Sequence, residues 1–428
     1  MKCNVFILLL SFLAMYIQNI SAETCLSCGV KLSVFEGDKM YKRSLAPILE
    51  RFAKIYPIIG IMGPRQSGKT TLAKILFPHL PYVSFEDLET RRKFQENPKK
   101  FLNDYVAGAI FDEAQHVPEL FSYLQGIVDA SPENGRYILT GSQNFLLNEK
   151  ITQSLAGRIG MTTLLPFSMA ELGTPSDMNK NIFQGGYPRL YAQGMTPEEF
   201  FPSYINTYVE RDVRQIINIE NVLTFQKFMQ LCAGRVGQVI NLTSLAQDCG
   251  ISNMTARRWF SVLEASYIVF FLAPFYKNFS KRLIKMPKMY FYDTGLVCNL
   301  LNIESESQVA SNHLKGALYE NMVVLEILKG RLNRARKPNL YFWRDSAGHE
   351  VDLIAEWGGT LKAIEIKSST TMQSDFIKNV RYFCDLATQD PSETVPAEPY
   401  LIYGGESKGI FMQTKLVPFT EIDSLLHE

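Results

Sequence analysis

The feature that most constrains this chain is the run Gly63-Pro-Arg-Gln-Ser-Gly68-Lys69-Thr70. It fills every position of the pattern G-x-x-x-x-G-K-[ST]. The apolar run Tyr56–Met62 before it has the length of a buried parallel strand, and Thr71–Phe77 after it reads as a helix. A strand that turns through glycines into a helix N-terminus aims backbone N–H groups and partial positive charge at an anion. The expected fold is therefore α/β, with a parallel sheet. Gly63, Pro64, Arg65, Gln66, Ser67 and Gly68 would form the cradle, with Thr71 in the first helical turn. Lys69 is expected to meet the β- and γ-phosphates of ATP, and the Thr70 hydroxyl to hold Mg²⁺.

Further along, Val106–Phe111 reads as a second strand and ends at Asp112-Glu113. Asp112 at a strand tip suits Mg²⁺, held through water. Glu113, one residue on, suits a general base that polarises the attacking water. The plainer alternative is an acidic strand cap. Arg136–Thr140 reads as a third strand opening into Gly141-Ser142-Gln143-Asn144, where Ser142 and Gln143 could sense a terminal phosphate. Loop chemistry alone would also favour such residues. Arg158, in Leu155-Ala-Gly-Arg158, could stabilise transition-state charge in cis or from a second copy, or it could be a surface arginine.

The order of phosphate loop, acidic strand and polar sensor strand resembles the AAA-type branch of phosphate-loop ATPases. More narrowly, the chain resembles a prokaryotic family of ATP-binding proteins. That family joins an AAA-type domain to a C-terminal domain of unknown function with a nuclease-like character. The matching residues are 63–70, Phe111-Asp-Glu-Ala-Gln115, Leu139-Thr-Gly-Ser-Gln143 and Leu155–Arg158. Gly185-Gly-Tyr-Pro188 and Tyr208-Val-Glu-Arg-Asp212 complete the match outside the C-terminal region. The resemblance implies ATP binding with Mg²⁺ and runs from about Met40 to the end.

In the middle, Asn241–Leu263 reads as two helices around a turn at Gly250, with Ser252 placed to cap the second. Tyr267–Leu272 then resembles a wing strand. In a winged helix-turn-helix, Arg257 and Arg258 would face a DNA major groove. Winged helices in ATPases also serve as lids or partner surfaces. The basic runs Lys281–Lys288 and Lys329–Lys337 could touch phosphate backbones, or could be solvated loops.

Toward the C-terminus, Gly316–Leu328 is expected to be a helix with one apolar face, and Glu320 lies on it. Strands are expected at Tyr341–Arg344, Glu350–Ala355 and Leu361–Lys367. Asp352 and Glu365 would converge from neighbouring strands, with Lys367 on the same face as Glu365. The set resembles the restriction-endonuclease-like superfamily. There, two carboxylates bind Mg²⁺ and a lysine orients the attacking water. A degenerate site whose charges merely pair is the competing reading.

Composition bounds the rest. The net charge of +1 gives no global attraction to nucleic acid, so any such contact needs local patches. The seven cysteines, at 3, 25, 28, 232, 249, 298 and 384, are too scattered for a disulfide framework. Cys25 and Cys28 have no second pair nearby to complete a zinc site. Residues 5–17 form an apolar stretch that reads as a signal peptide, too short to span a bilayer. An ATPase core beginning near Met40 suits the ATP-rich cytoplasm, with 1–39 an upstream extension; export is the rival reading. The expected division is 1–39, an ATPase domain 40–200, a helical and winged segment 201–280, and a nuclease-like domain 281–428. Homo-oligomerisation is open, and no stable membrane insertion is expected.

Overall fold

Five short strands, three of them buried along their whole length, build the first sheet. The computed structural model describes residues 41–142, 155–173, 177–209, 222–275, 286–388 and 396–426. All of them belong to the compact unit 40–428. Strand β1 (Ile58–Met62) lies between β4 (Tyr137–Gly141) and β5 (Ile159–Thr163), parallel to both. Strand β3 (Ala109–Asp112) flanks β4, and β2 (Tyr82–Ser84) closes the edge, giving the all-parallel order β2-β3-β4-β1-β5. Ile58, Ile59 and Ile61 are fully buried, as expected of a strand covered on both faces. Beneath β3 and β4, Phe85, Phe111 and Tyr137 stack with centroids 5.7 and 5.9 Å apart.

A parallel sheet sends all its C-terminal strand ends to one edge. The loop after β1, the acidic pair after β3 and the Ser142 turn after β4 therefore meet there. Gly63 is required at the first of these turns. Its φ is +147°, and a Cβ would lie 2.1 Å from the Leu164 carbonyl oxygen.

The middle helices are Val222–Ala233, Leu242–Cys249 and Asn253–Ala265. Gly250 takes the left-handed conformation at φ 74°, and the Ser252 hydroxyl accepts from Thr255 N at 3.0 Å, as the sequence leads one to expect. The strand after them is less independent than a wing. Strand β6 (Val269–Pro274) pairs with β7 (Lys288–Phe291) and also with β8 (Leu340–Arg344), so the hairpin is continuous with the second sheet.

That sheet has the order β12-β13-β11-β10-β9-β8-β6-β7. Strands β9 (Glu350–Trp357) and β10 (Thr360–Lys367) form a hairpin turning through Gly358 and Gly359. The helix Lys378–Thr388 leads from β10 to β11 (Ala397–Tyr403), which is parallel to β10. Strands β12 (Gly409–Phe411) and β13 (Thr414–Pro418) complete it. The helix Lys315–Leu332 departs from the expected one-sided pattern. From Asn321 to Arg331 every residue is buried, because the ATPase segment around Phe167–Met169 and the C-terminal 419–426 turns cover its outer faces. Among the described residues, no helix is long and apolar enough to cross a membrane.

Candidate functional site

The loop from Gly63 to Thr70 wraps its own lysine. Lys69 is buried, and its Nζ donates to the carbonyl oxygens of Gly63 at 2.9 Å and Pro64 at 2.7 Å. The backbone turns through positive φ at Gln66 (61°) and Gly68 (93°) before the helix Lys69–Leu76 begins. Arg43 buttresses the loop from behind. It donates to Ser67 O at 2.8 Å and Leu165 O at 2.6 Å, and pairs with Glu171 at 3.1 Å. Thr71 is exposed on the first helical turn.

The tip of β3 faces this loop. Thr70 Oγ1 donates to Asp112 Oδ1 at 2.8 Å, and Thr140 Oγ1 donates to the same oxygen. Tyr82 OH donates to Asp112 Oδ2 at 2.7 Å, so both carboxylate oxygens are held in place. Burial first, and then the Asp112 carboxylate, push the Tyr82 phenol up to about 12. Sequence reasoning missed Tyr82; a tyrosine opening a three-residue edge strand carries no motif signal.

Glu113 adopts a left-handed backbone, φ 53°, a costly state for a residue with a Cβ and a common one at functional sites. Its Oε2 accepts from Ser142 Oγ at 2.7 Å, from Ser142 N at 3.2 Å and from Gln115 Nε2. Burial pushes the carboxyl up, but the charges of Lys69 and Arg65 and the bonds from Ser142 and Gln115 outweigh it. The net position is below the usual carboxylate range, so Glu113 is ionised at neutral pH. An ionised carboxylate beside the phosphate loop has the protonation state of a base.

A divalent cation fits this donor set. A threonine hydroxyl and a carboxylate oxygen in mutual contact at the loop mouth are hard ligands of the kind Mg²⁺ prefers. Ser67 Oγ and Gln66 Oε1 are also buried in the loop without hydrogen-bond partners, as suits a polar cradle.

Gln143 lies outside the described residues, and Ser142 is the described member of that pair. Arg158 is placed where a cis role fails. Ile58 N bonds to Arg158 O, which puts Arg158 at the N-terminal ends of β1 and β5, a whole strand away from the loop. At ~3.3 Å per residue that is roughly 16 Å, more than one arginine spans. Its guanidinium instead pairs with Asp129, at 3.0 Å through Nη2.

The C-terminal residues come together, in larger company than expected. Lys367 Nζ lies 2.6 Å from Glu365 Oε1 and 3.5 Å from Asp352 Oδ2, so these two oxygens are no farther apart than those distances summed. Lys288, expected in a basic surface run, is buried in the same cluster. It pairs with Glu350 at 2.6 Å, Glu320 at 3.1 Å and Asp352 at 4.0 Å. Burial and the nearby Asp352 charge push Glu320 up to about 7 and Glu365 up to about 8. Glu365 Oε2 is buried without a hydrogen-bond partner. Among the described residues no three His, Cys, Asp or Glu side chains are grouped as a metal-binding set. The two lysines stand among the acids and supply the positive charge.

The second basic run is corrected in the same way. Lys329 is buried and donates to Phe167 O at 2.8 Å and Glu326 at 2.8 Å, and Arg331 turns inward to Lys337 O. Lys281 to Ile284 and Lys285 lie outside the described residues, as do Glu210–Asp212 and the three N-terminal cysteines. Arg257 and Arg258 are exposed on their helix. The Gly185-Gly186 pair of the sequence motif packs on Asp293, with Gly186 N donating to Oδ2 at 2.7 Å. A Cβ at Gly185 would lie 2.3 Å from Asp293 Oδ1, which explains glycine there.

An all-parallel β2-β3-β4-β1-β5 sheet, with the phosphate loop after the internal strand β1 and the acidic pair at the end of β3, defines an AAA-type phosphate-loop ATPase. Known proteins bear on this class directly. A family model described as an AAA domain matches residues 56–173, and domains of unknown function match 175–307 (DUF8612) and 315–422 (DUF4143). The uncharacterized proteins Rv2008c of Mycobacterium tuberculosis and Mb2031c of Mycobacterium bovis are each 30% identical over 336 residues, 77% of this chain and 74% of theirs. Among solved structures, the Walker-type ATPase PABY2304 of Pyrococcus abyssi aligns with a TM-score of 0.41 and 18% identity, over 61% of this chain and 96% of that one. AMPPCP-bound DnaA from Aquifex aeolicus aligns with a TM-score of 0.28 and 14% identity, over 51% and 85%. The chain belongs to the prokaryotic family of AAA-type phosphate-loop ATPases whose C-terminal domain is of unknown function.

Proposed function

We propose that this ATPase uses Mg-ATP hydrolysis to control the engagement of DNA, or of a protein partner, by its helical middle and C-terminal regions. The observation that carries the hydrolysis reading is Glu113, ionised and clamped at the strand tip beside Lys69 and the Thr70–Asp112 pair. Thr70 and Asp112 would hold Mg²⁺, which supplies charge neutralisation at the phosphates. In the step itself, a water oxygen bonds to the terminal phosphorus and its proton passes to Glu113. The bond to the bridging oxygen breaks, and ADP leaves with the electron pair. Lys69 stabilises the phosphate charge.

Support for coupling comes from a continuous run of buried polar contacts behind the loop. Arg43 holds Ser67 O and Glu171, and Glu171 accepts from Ser168 N at 2.9 Å. One residue on, Met169 N donates to Glu326 Oε2 at 2.7 Å, and Glu326 pairs with Lys329. Those two lie on the Lys315–Leu332 helix, whose early turns carry Glu320 into the acid cluster. A shift of the loop on hydrolysis would press on that helix. This is a structural path, and coupling along it is what the experiment measures.

The DNA reading draws on the exposed Arg257 and Arg258 on a capped helix after a glycine turn. The C-terminal order of helix, three strands, helix and strand, with Asp352, Glu365 and Lys367 together, supports a nuclease-like domain. Lys288, an additional buried cation against Glu320, Glu350 and Asp352, favours a domain that binds rather than cuts. The test is ATP turnover with and without duplex DNA, beside a nicking assay in Mg²⁺ and Mn²⁺. Turnover that DNA raises severalfold, and that Arg257→Ala with Arg258→Ala returns to the basal rate, is expected, with no nicking. Turnover indifferent to DNA would overturn the DNA reading in favour of a protein partner, and cleavage would overturn the binding-only reading of the tail.

A further inference from the structure

Arg65, like Thr70, reaches away from the loop. Its Nη1 donates to Glu86 Oε1 at 2.7 Å. Glu86 follows β2, three positions from β1 in the order β2-β3-β4-β1-β5. Neighbouring strands are ~4.8 Å apart, so the gap from β1 to β2 is about 14 Å. The loop backbone and the Arg65 and Glu86 side chains close that gap together, past the tips of β4 and β3, which carry Ser142 and Asp112-Glu113. The electrostatics agree with this course. The Arg65 charge follows that of Lys69 in drawing the Glu113 carboxyl down, and it is also felt at His116.

The Arg65–Glu86 pair is asymmetric. The Arg65 side chain is 8% exposed and that of Glu86 is 47% exposed. A carboxylate at a wet rim is released at little cost, whereas a buried guanidinium needs an anion in contact. Such a cation accepts an exchange of partners. A phosphate group is a suitable replacement, since the planar guanidinium fork matches its oxygens.

We propose that Arg65 is this chain's own terminal-phosphate arginine, held in front of Glu113 by Glu86 and handed to the γ-phosphate when ATP binds. The inference rests on the ATP reading above. ADP lacks the group that Arg65 would meet, so Arg65 makes the site prefer ATP. It also supplies in cis the charge that Arg158, at the far end of the sheet, cannot bring.

The experiment measures ATP and ADP affinity by competition against a fluorescent ADP, together with ATP turnover, in the full chain with Mg²⁺. Arg65→Ala is expected to bind ADP within about twofold of wild type and ATP ~10–10²-fold more weakly, the loss typical of a charge-assisted bond. Turnover should fall ~10²-fold or more. Arg65→Lys should recover part of the ATP preference, and Glu86→Gln should bind ATP at least as tightly as wild type with ADP unchanged. If Arg65→Ala weakens ATP and ADP alike, Arg65 merely shapes the loop and the proposal is overturned. Glu86→Gln mimicking Arg65→Ala would overturn the hand-over. Should Arg65→Ala not fold, Arg65→Gln replaces it, and a full ATP preference with normal turnover in Arg65→Gln would overturn the proposal too. A wild-type chain that binds both nucleotides without turnover would refute hydrolysis, yet the affinity ratios would still decide the role of Arg65.

Discussion

Replacing Lys288 by methionine removes the cation at the centre of the C-terminal acid cluster and keeps most of its volume. Only 4% of the side chain is exposed, and of its partners Asp352 would keep Lys367 and Glu350 would keep the more exposed Arg344 at 3.7 Å. Breaking a buried pair on one side costs ~3–5 kcal/mol, because the other charge stays buried. Tyr290 still donates to Glu320 at 2.6 Å, which argues for the lower end, about 3 kcal/mol. For the compact unit 40–428, with ~2.1 cal/mol/K of unfolding entropy per residue, that is roughly 4 °C in melting temperature. Lys367→Met should cost less, since a third of that side chain is already exposed to solvent. The loss should also depend on pH. Glu320 is pushed up to about 7, so at pH 5.5 it is neutral without help, and the lysine matters more at pH 8. Thermal melts of wild type, Lys288→Met and Lys367→Met at both pH values test this. Equal melting temperatures at pH 8 would refute the reasoning, as would a larger loss at pH 5.5 than at pH 8.

Three further outcomes are expected. Glu320 and Glu365 are raised from 4.5 to about 7 and about 8, so the native state holds protons that the unfolded chain has lost. Their contribution is therefore fully present below about pH 4.5 and is lost as pH rises toward 8; a urea midpoint for the C-terminal region that rises from pH 5.5 to pH 8 would contradict this. Asp352→Ala with Glu365→Ala should lower the melting temperature, because Lys367 loses both its acid partners and the buried Ile366 amide loses the Asp352 oxygen it donates to at 2.9 Å, and an unchanged melt would count against it. Arg43→Met should weaken ATP binding by about tenfold through loss of the Ser67 and Leu165 carbonyl contacts, and unchanged affinity in a titration would deny Arg43 its buttressing role.

The phosphate loop was legible because its chemistry is local. Glycines, a lysine and a threonine at fixed spacing, between a strand and a helix, define it without long-range knowledge. The same holds for the Gly250 turn and the Ser252 cap, where the signals lie within three residues of the structure they make. For Arg158 the cis, second-copy and surface readings stayed open in the sequence for the opposite reason. Its sequence distance from the loop is silent about which end of β5 it occupies, and parallel pairing sets that end. Lys288 and Lys329 read as surface cations, because a basic run looks solvated until one knows which elements cover it. Likewise, Glu350 and Tyr82 join their clusters through strand pairing, which leaves no mark at fixed spacing.

The most direct measurement is single-turnover hydrolysis of ATP labelled at its terminal phosphate, in wild type, Lys69→Ala and Glu113→Gln, with binding measured in parallel. Lys69→Ala is expected to lose ATP binding. Glu113→Gln is expected to keep binding while turning over at least ~10²-fold more slowly than wild type, because the base is gone and the phosphate contacts remain. Wild-type turnover in Glu113→Gln, or unimpaired ATP binding by Lys69→Ala, would contradict these roles.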